Sequence, residues 1–188
     1  LILKNNKLMV RQLEENDIPL LSKWLSDPNV LQYYEGRDNP FDNEKVQNVF
    51  FSKDPSIQMG IVIYENNEIG YIQYYQLDSE SKSEYGLSDS TELIYGMDQF
   101  IGEINHWNRG IGNILVSSMV DYLVNNKHAD KVVVDPQTWN IRAIKCYEKC
   151  GFIKTRLLPN HELHEGEYRD CFVMEYNKKL QKRLPNIQ

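Results

Sequence analysis

The sequence predicts a mixed α/β (α+β) fold in which one β-sheet lies between two layers of helices. Three observations carry this. Short runs of apolar residues alternate with a period of two, and longer stretches between them repeat near 3.6. From Thr91 onward the two patterns interleave as strand, helix, strand, helix, strand and strand, an order that builds a helix-covered sheet. No Pro- or Gly-rich linker interrupts the 188 residues, a length that suits a single domain with one well-buried core.

The elements follow in chain order. Leu8 to Leu13 alternates as an edge strand, and Asn16 or Asp17 then caps a helix with Pro19 in its first turn. Leu20, Leu21, Trp24 and Leu25 form its buried side, Asp27-Pro28 stops it, and Val30 to Tyr34 makes a further helical turn before Glu35-Gly36-Arg37-Asp38-Asn39-Pro40 breaks the pattern. A helix from Asp42 or Asn43 to Lys53 precedes a hairpin, with strands Gln58 to Tyr64 and Ile69 to Leu77 around Glu65-Asn66-Asn67-Glu68. Asp78 to Ser90 reads as a polar, acidic loop. Strands Thr91 to Ile101 and Lys131 to Asp135 follow, then Gly151 to Leu157 and Tyr168 to Tyr176.

Composition narrows the function classes. Asp and Glu (27) outnumber Lys and Arg (21) for a net charge of −6, which argues against a nucleic-acid surface and favours cationic partners. No apolar run approaches the roughly 20 residues of a membrane helix, and Leu1-Ile2-Leu3 is too short for a secretory core, so cytoplasmic residence is expected. Cys146, Cys150 and Cys171 match neither paired disulfides nor zinc spacing, which predicts reduced thiols. His161-Glu162-Leu163-His164-Glu165 mimics a zinc-protease helix, but its histidines stand at i and i+3 where i and i+4 are required. A polar loop and no metal site are expected there.

Two helices carry the chemistry. Gly110 and Gly112 open an amphipathic stretch whose stripe is Ile111, Ile114, Leu115, Ser118, Met119, Tyr122 and Leu123; bare N–H groups at such a start aim positive potential at an anion. Asn140 caps the second, Ala143, Ile144 and Tyr147 share one face, and Gly151 ends it as a left-handed cap before Phe152. In the strand before the first helix, Asp98 is a carboxylate among apolar and aromatic residues. Such a charge needs a partner: a neighbouring Lys or Arg, or a substrate ammonium whose proton it then accepts.

Together, Trp107-Asn108-Arg109-Gly110-Ile111-Gly112 and the Asn140-to-Phe152 segment resemble the acetyl-coenzyme A motifs of the GCN5-related N-acetyltransferases, the GNAT superfamily. The resemblance implies acetyl-coenzyme A as co-substrate. Its pyrophosphate would rest on Arg109, Gly110, Ile111, Gly112 and Asn113, and its pantetheine arm beside Asn140, Ala143 and Tyr147. The arm would lie in a V-shaped slot where strands 91–101 and 131–135 splay, along Gln99, Phe100 and Ile101, with an oxyanion-binding N–H freed by a bulge there. Tyr147 would be the general acid for the leaving thiolate, or else a core tyrosine. Trp107 stands where the motif commonly has Gln or Arg.

Tyr95 to Glu103, Tyr34 to Asp38, Val134-Asp135-Pro136 and the His161-to-Gly166 stretch are similar to the aminoglycoside 6'-N-acetyltransferases, including the acetyltransferase half of the bifunctional acetyltransferase–phosphotransferases. That resemblance implies Asp98 as the base for the 6'-amine and Asp135 as a ligand of the drug. Glu35, Glu162 and Glu165 are expected as further cation ligands or as solvated carboxylates, and Tyr34 and Tyr74 as sugar-stacking platforms or core. Two alternatives stay open: a GNAT enzyme acting on a protein N-terminus or siderophore precursor, and a non-catalytic acyl-coenzyme A-binding module. Monomer and homodimer are equally compatible with the sequence.

Overall fold

The computed structural model describes residues 1–52 and 54–181. Strand β1 (Leu3–Lys4) pairs with β2 (Leu8–Gln12), so β2 is not at the sheet edge as expected. Two residues are too few for alternation to register. A 3-10 turn, Glu15–Asp17, leads into α1 (Ile18–Trp24). Asp17 stands at its start, but its carboxylate accepts the Glu14 N–H and two Arg11 N–H groups, at 2.9, 2.7 and 2.6 Å.

Asp27 and Pro28 end α1 by beginning α2 (Pro28–Leu31), where the Asp27 carboxylate accepts the Asn29 N–H at 2.8 Å. Asp42 caps α3 (Asn43–Phe50) by accepting from the Lys45 N–H; the expected end at Lys53 lies outside the described residues. These helices bury Leu21, Trp24, Leu25, Val46 and Phe50 on one face of the sheet, against Ile61, Tyr71 and Phe100.

Strands β3 (Gln58–Tyr64) and β4 (Asn67–Gln76) form the expected hairpin. Its loop is tighter than expected: Glu65 and Asn66 alone turn the chain, at φ 49° and 66°, the positive pair a type I′ turn requires. The expected loop at Asp78 to Ser90 contains α4 (Ser79–Glu84), capped by Asp78 through the Ser81 N–H at 2.8 Å. Helix α4 buries none of its side chains and so has no apolar period to read; its Asp cap is the one local signal.

Strand β5 (Ile94–Ile101) decides where the site lies. It pairs with β4 along its length, but with β6 (Lys131–Val134) only at Ile94↔Lys131, Tyr95↔Val132 and Gly96↔Val133. Beyond Gly96 the two parallel strands part, giving the splayed slot. Helix α5 (Ile111–Asn126) links them, and α6 (Ile141–Lys149) follows β6. The stripe of α5 turns toward Val116, Val120 and Val124, while Ile114, Ser118 and Tyr122 are only half-buried. Gly151 takes φ 90°, and the Phe152 N–H reaches the Tyr147 carbonyl at 3.1 Å, closing α6 as its sequence requires.

The last strands, β7 (Ile153–His164) and β8 (Glu167–Asn177), are longer than expected, and α7 (Lys178–Gln181) follows them. The order across the sheet is β1-β2-β3-β4-β5-β6-β8-β7. His161 to His164 therefore belong to a strand, not a polar loop. The alternating pleat sends the two histidines to different surroundings: His164 is 4% exposed beside Trp139, and His161 reaches Asp135. On the sheet face opposite α1 to α3, α5 and α6 bury Leu115, Met119, Ile144 and Tyr147 against Ile72, Met97 and Val134.

Candidate active site

A cavity of about 850 Å³ opens where β5 and β6 part, and residues from both sheet faces line it. The pleat sorts β5 in two. Phe100 packs with Tyr71 in the α1 to α3 layer, whereas Met97 packs with Leu115 under α5. Asp98 therefore shares its face with Phe100, and Gln99 shares its face with Met97.

Backbone direction is equally determined. The Gly102 N–H bonds the Ile69 carbonyl, and the Leu77 N–H bonds the Ile94 carbonyl, so even-numbered residues of β5 turn their backbone polar groups to β4. Those of Met97, Gln99 and Ile101 face the slot instead. The Trp107 indole already donates to the Ile101 carbonyl at 2.8 Å. Register between β4 and β5 is unbroken through this stretch, so no bulge frees these groups as expected. Departure of β6 does.

On the α5 side, Gly110 adopts φ 75° and Asn108 φ 58°, a left-handed pair that curls the chain before the helix. The first-turn N–H groups of Ile111 and Gly112 have no intrahelical acceptor and sit on the cavity wall with Asn108 and Asn113. Arg109 is exposed and not among the lining residues, so the expected guanidinium contact is not built into the wall. Asn140 caps α6 by accepting the Ala143 N–H at 3.2 Å, and both residues line the slot.

Tyr147 reaches the slot from α6 and accepts from Gln99 Nε2 at 2.5 Å. Burial, then the Asp98 charge, pushes its phenol well above the usual range, so it keeps its proton. Among the described residues, Gln99 Oε1 is buried without a hydrogen-bond partner, a state costing about 1–3 kcal/mol that an incoming N–H donor relieves. An unpaired buried acceptor, bare helix-start N–H groups and a slot-facing strand edge together fit an extended amide-bearing arm that ends in phosphates.

The other side of β5 is acidic and aromatic. Asp98 Oδ2 accepts from Gln73 Nε2 at 2.8 Å, and Gln73 Oε1 accepts from the Tyr71 hydroxyl at 2.9 Å, which fixes the amide's orientation. Tyr34 and Glu35 line the cavity from the segment after α2, with Glu35 at φ 73°, Asn39 Nδ2 donating to it at 3.2 Å, and Tyr34 stacked obliquely on Phe100. Asp135 and Glu162 line it from beyond β6 and from β7.

Two expected ligands lie elsewhere. Glu165 forms a forked pair with Arg37, Nε to Oε1 at 2.6 Å and Nη2 to Oε2 at 2.7 Å, and ties the β7–β8 turn to the loop after α2. That hydrogen bonding lowers its carboxyl to about 2. Tyr74 points under α5, where its hydroxyl meets that of Tyr122 at 3.3 Å, and Tyr75 is the residue on the cavity wall. The error is one of strand parity, because adjacent residues face opposite sides.

Sequence reading missed the aromatic wall opposite. Arg142 lies over the Tyr33 and Trp107 rings, 4.1 and 4.0 Å from their centroids, and Trp139 stacks on Tyr33 at 5.5 Å. Only tertiary contact joins these residues, so no sequence spacing announces them.

Comparison with known proteins agrees with this geometry. The family described as acetyltransferase (GNAT) domain matches residues 14–158. The chain belongs to the GNAT acetyltransferases. Among its relatives, an aminoglycoside N(6')-acetyltransferase type 1 of Klebsiella pneumoniae is 27% identical over 151 residues, 79% of this chain and 75% of that one. A kanamycin resistance protein of Rhizobium radiobacter is 39% identical over 59 residues, 31% of this chain and 55% of that one. This acetyltransferase shares its fold with AAC(6')-Ib solved with coenzyme A and kanamycin, at TM-score 0.69, 22% identity and coverage of 94% and 98%. It also shares it with the Vibrio cholerae spermidine N-acetyltransferase solved with coenzyme A and spermine, at TM-score 0.75, 18% identity and coverage of 93% and 98%.

Proposed function

We propose that this protein acetylates the 6'-amine of an aminoglycoside, using acetyl-coenzyme A, and so confers resistance to such drugs. The observation that carries the reading is the division of one cavity by β5. An anion-receptive, amide-receptive wall lies on the α5 and α6 side, and Asp98, Glu35, Asp135 and Glu162 surround the other. Four carboxylates converging on one end suit a polycation better than a peptide N-terminus or a neutral precursor, each of which carries fewer charges. The relatives named for 6'-acetylation and kanamycin resistance support the same substrate class.

When bound, the thioester supplies an activated acetyl carbon and a thiol leaving group. Asp98, held in one orientation by Gln73, attracts the acceptor ammonium and takes its proton. Slot-facing N–H groups of β5 offer hydrogen bonds to the carbonyl oxygen as it gains charge. Tyr147 keeps its proton at working pH and gives it to the sulfur. This division of labour favours an enzyme over a module that only binds acyl-coenzyme A. Gln99, Phe100, Ile101, Gly110, Ile111, Gly112, Asn113, Asn140 and Ala143 are assigned to the coenzyme arm, and Tyr34, Glu35, Tyr75, Asp135 and Glu162 to the acceptor. A net charge of −6 supports small cations over nucleic acid as partners, and use of acetyl-coenzyme A is consistent with the cytoplasm.

The test is thiol release from acetyl-coenzyme A with kanamycin, with a 6'-hydroxyl analogue, with spermine and with a peptide amine. Turnover of kanamycin but not of the 6'-hydroxyl analogue is expected. Turnover of spermine or the peptide with none of kanamycin overturns the reading.

A further inference from the structure

Asp135 is engaged from within the protein. Its Oδ2 accepts from the Tyr85 hydroxyl at 2.9 Å and from His161 Nε2 at 3.1 Å. The other ring nitrogen of His161, Nδ1, lies 3.6 Å from Glu84 Oε1. A neutral imidazole has one N–H, so it can satisfy one of two flanking carboxylates and must turn a lone pair on the other. An imidazolium satisfies both. The ring is also shielded, its side chain 15% exposed against 25% for Asp135, so the attraction is little screened.

The surroundings of His161 are predominantly acidic. Glu84 and Tyr85 face it from the end of α4, Asp135 from the end of β6, and Glu162 adjoins it on β7. Across on β8, Arg169 pairs in register with Glu162, and Asp170 holds the Asn160 N–H. Arg156 of β7 lies against Gly86, just beyond Tyr85. The hydrogen bond that His161 donates to Asp135 raises the proton affinity of the ring, in agreement with the geometry.

We propose that His161 is a built-in counter-cation for Asp135, so that an acceptor ammonium and the His161 proton compete for one carboxylate and binding the acceptor expels that proton. The inference rests on the aminoglycoside reading and deepens it: His161 acts through Asp135 as a positioning residue. A second cation at Asp135 repels the imidazolium. Loss of the proton from Nε2 removes that repulsion, leaves Nδ1–H for Glu84, and converts Nε2 into an acceptor beside the incoming ammonium. A site offering only carboxylates with no resident cation would bind any ammonium. A carboxylate already neutralised selects acceptors that bring enough positive charge to displace the resident proton.

The experiment is calorimetric titration of kanamycin into the protein saturated with coenzyme A, near neutral pH, in two buffers of different ionisation enthalpy. The count of protons released is compared between the wild type and His161→Gln, both checked for folding by circular dichroism. Protonation changes on the drug itself are common to both and cancel. The wild type is expected to release up to one proton more per kanamycin. Its KM for kanamycin, divided by that of the variant, should fall as pH rises, with KM for acetyl-coenzyme A unaffected. Glu84→Gln, which keeps the ring but removes its second carboxylate, should release an intermediate number. Equal proton counts in all three proteins, or a flat KM ratio, overturn the proposal while leaving the acetylation reading intact. Absence of kanamycin turnover at any pH overturns the reading first and the proposal with it.

Discussion

Replacing Asp98 with Asn separates chemistry from architecture at this site. The substitution preserves shape, and the amide oxygen it introduces still accepts from Gln73 Nε2, the contact made at 2.8 Å in the parent. Folding is therefore expected to be retained. Two things are lost: the charge proposed to draw an ammonium to the slot, and the carboxylate proposed to take its proton. General-base catalysis contributes about 10²- to 10⁴-fold. At about 1.36 kcal/mol per decade this is roughly 3–5 kcal/mol of transition-state stabilisation. The measurement is kcat/KM for kanamycin by thiol release, with KM for acetyl-coenzyme A as internal control, since Asp98 lies on the face of β5 opposite Gln99 and Ile101. A fall of at least about 10²-fold with an unchanged coenzyme KM is expected. Activity within threefold of the parent refutes Asp98 as the base.

Gln73→Leu should lower kcat by releasing Asp98. It should also destabilise the fold by about 1–3 kcal/mol in denaturant titration, because the hydroxyl of fully buried Tyr71 loses its acceptor. Gly110→Ala isolates backbone strain: none of the described residues lies within 4 Å of the added methyl, yet φ is 75°, so a cost of about 1–2 kcal/mol in stability with a raised KM for acetyl-coenzyme A is expected. Hydrogen bonding from Cys146, with a second donor in Ser117, lowers the Cys150 thiol below the ordinary thiol range. Iodoacetamide labelling of Cys150 should therefore set in at lower pH than that of a free thiol. Cys171, fully buried and pushed up by burial, should remain unlabelled in mass spectra.

The local signals that proved legible are those with a local cause. Asn140 accepts the Ala143 N–H and Gly151 turns left-handed because a helix leaves its own terminal groups unpaired. Asp78 caps α4 for the same reason, although acidic composition there suggests a loop. The misreadings have equally physical causes. Tyr74 and Tyr75 are indistinguishable by composition, and only the register Tyr74↔Met97 and Tyr75↔Gly96 assigns one to the core and the other to the cavity. Glu162 and Glu165 read alike as acidic side chains, until the β7–β8 turn brings Glu165 to Arg37, far off in sequence.

By itself, the sequence determined that one helix opens at Gly110 and another at the Asn140 cap, that Asp98 is a charge in an apolar strand, and that the chain resembles the GNAT enzymes. Those features follow from caps, periods and residue chemistry within a few positions of one another. Tertiary structure alone decided which faces of β5 meet which layer, where β6 departs, which carboxylates remain on the cavity and that His161 occupies Asp135. Each of these depends on strand register and on contacts between distant segments, which free energy of packing selects only once the whole sheet has formed.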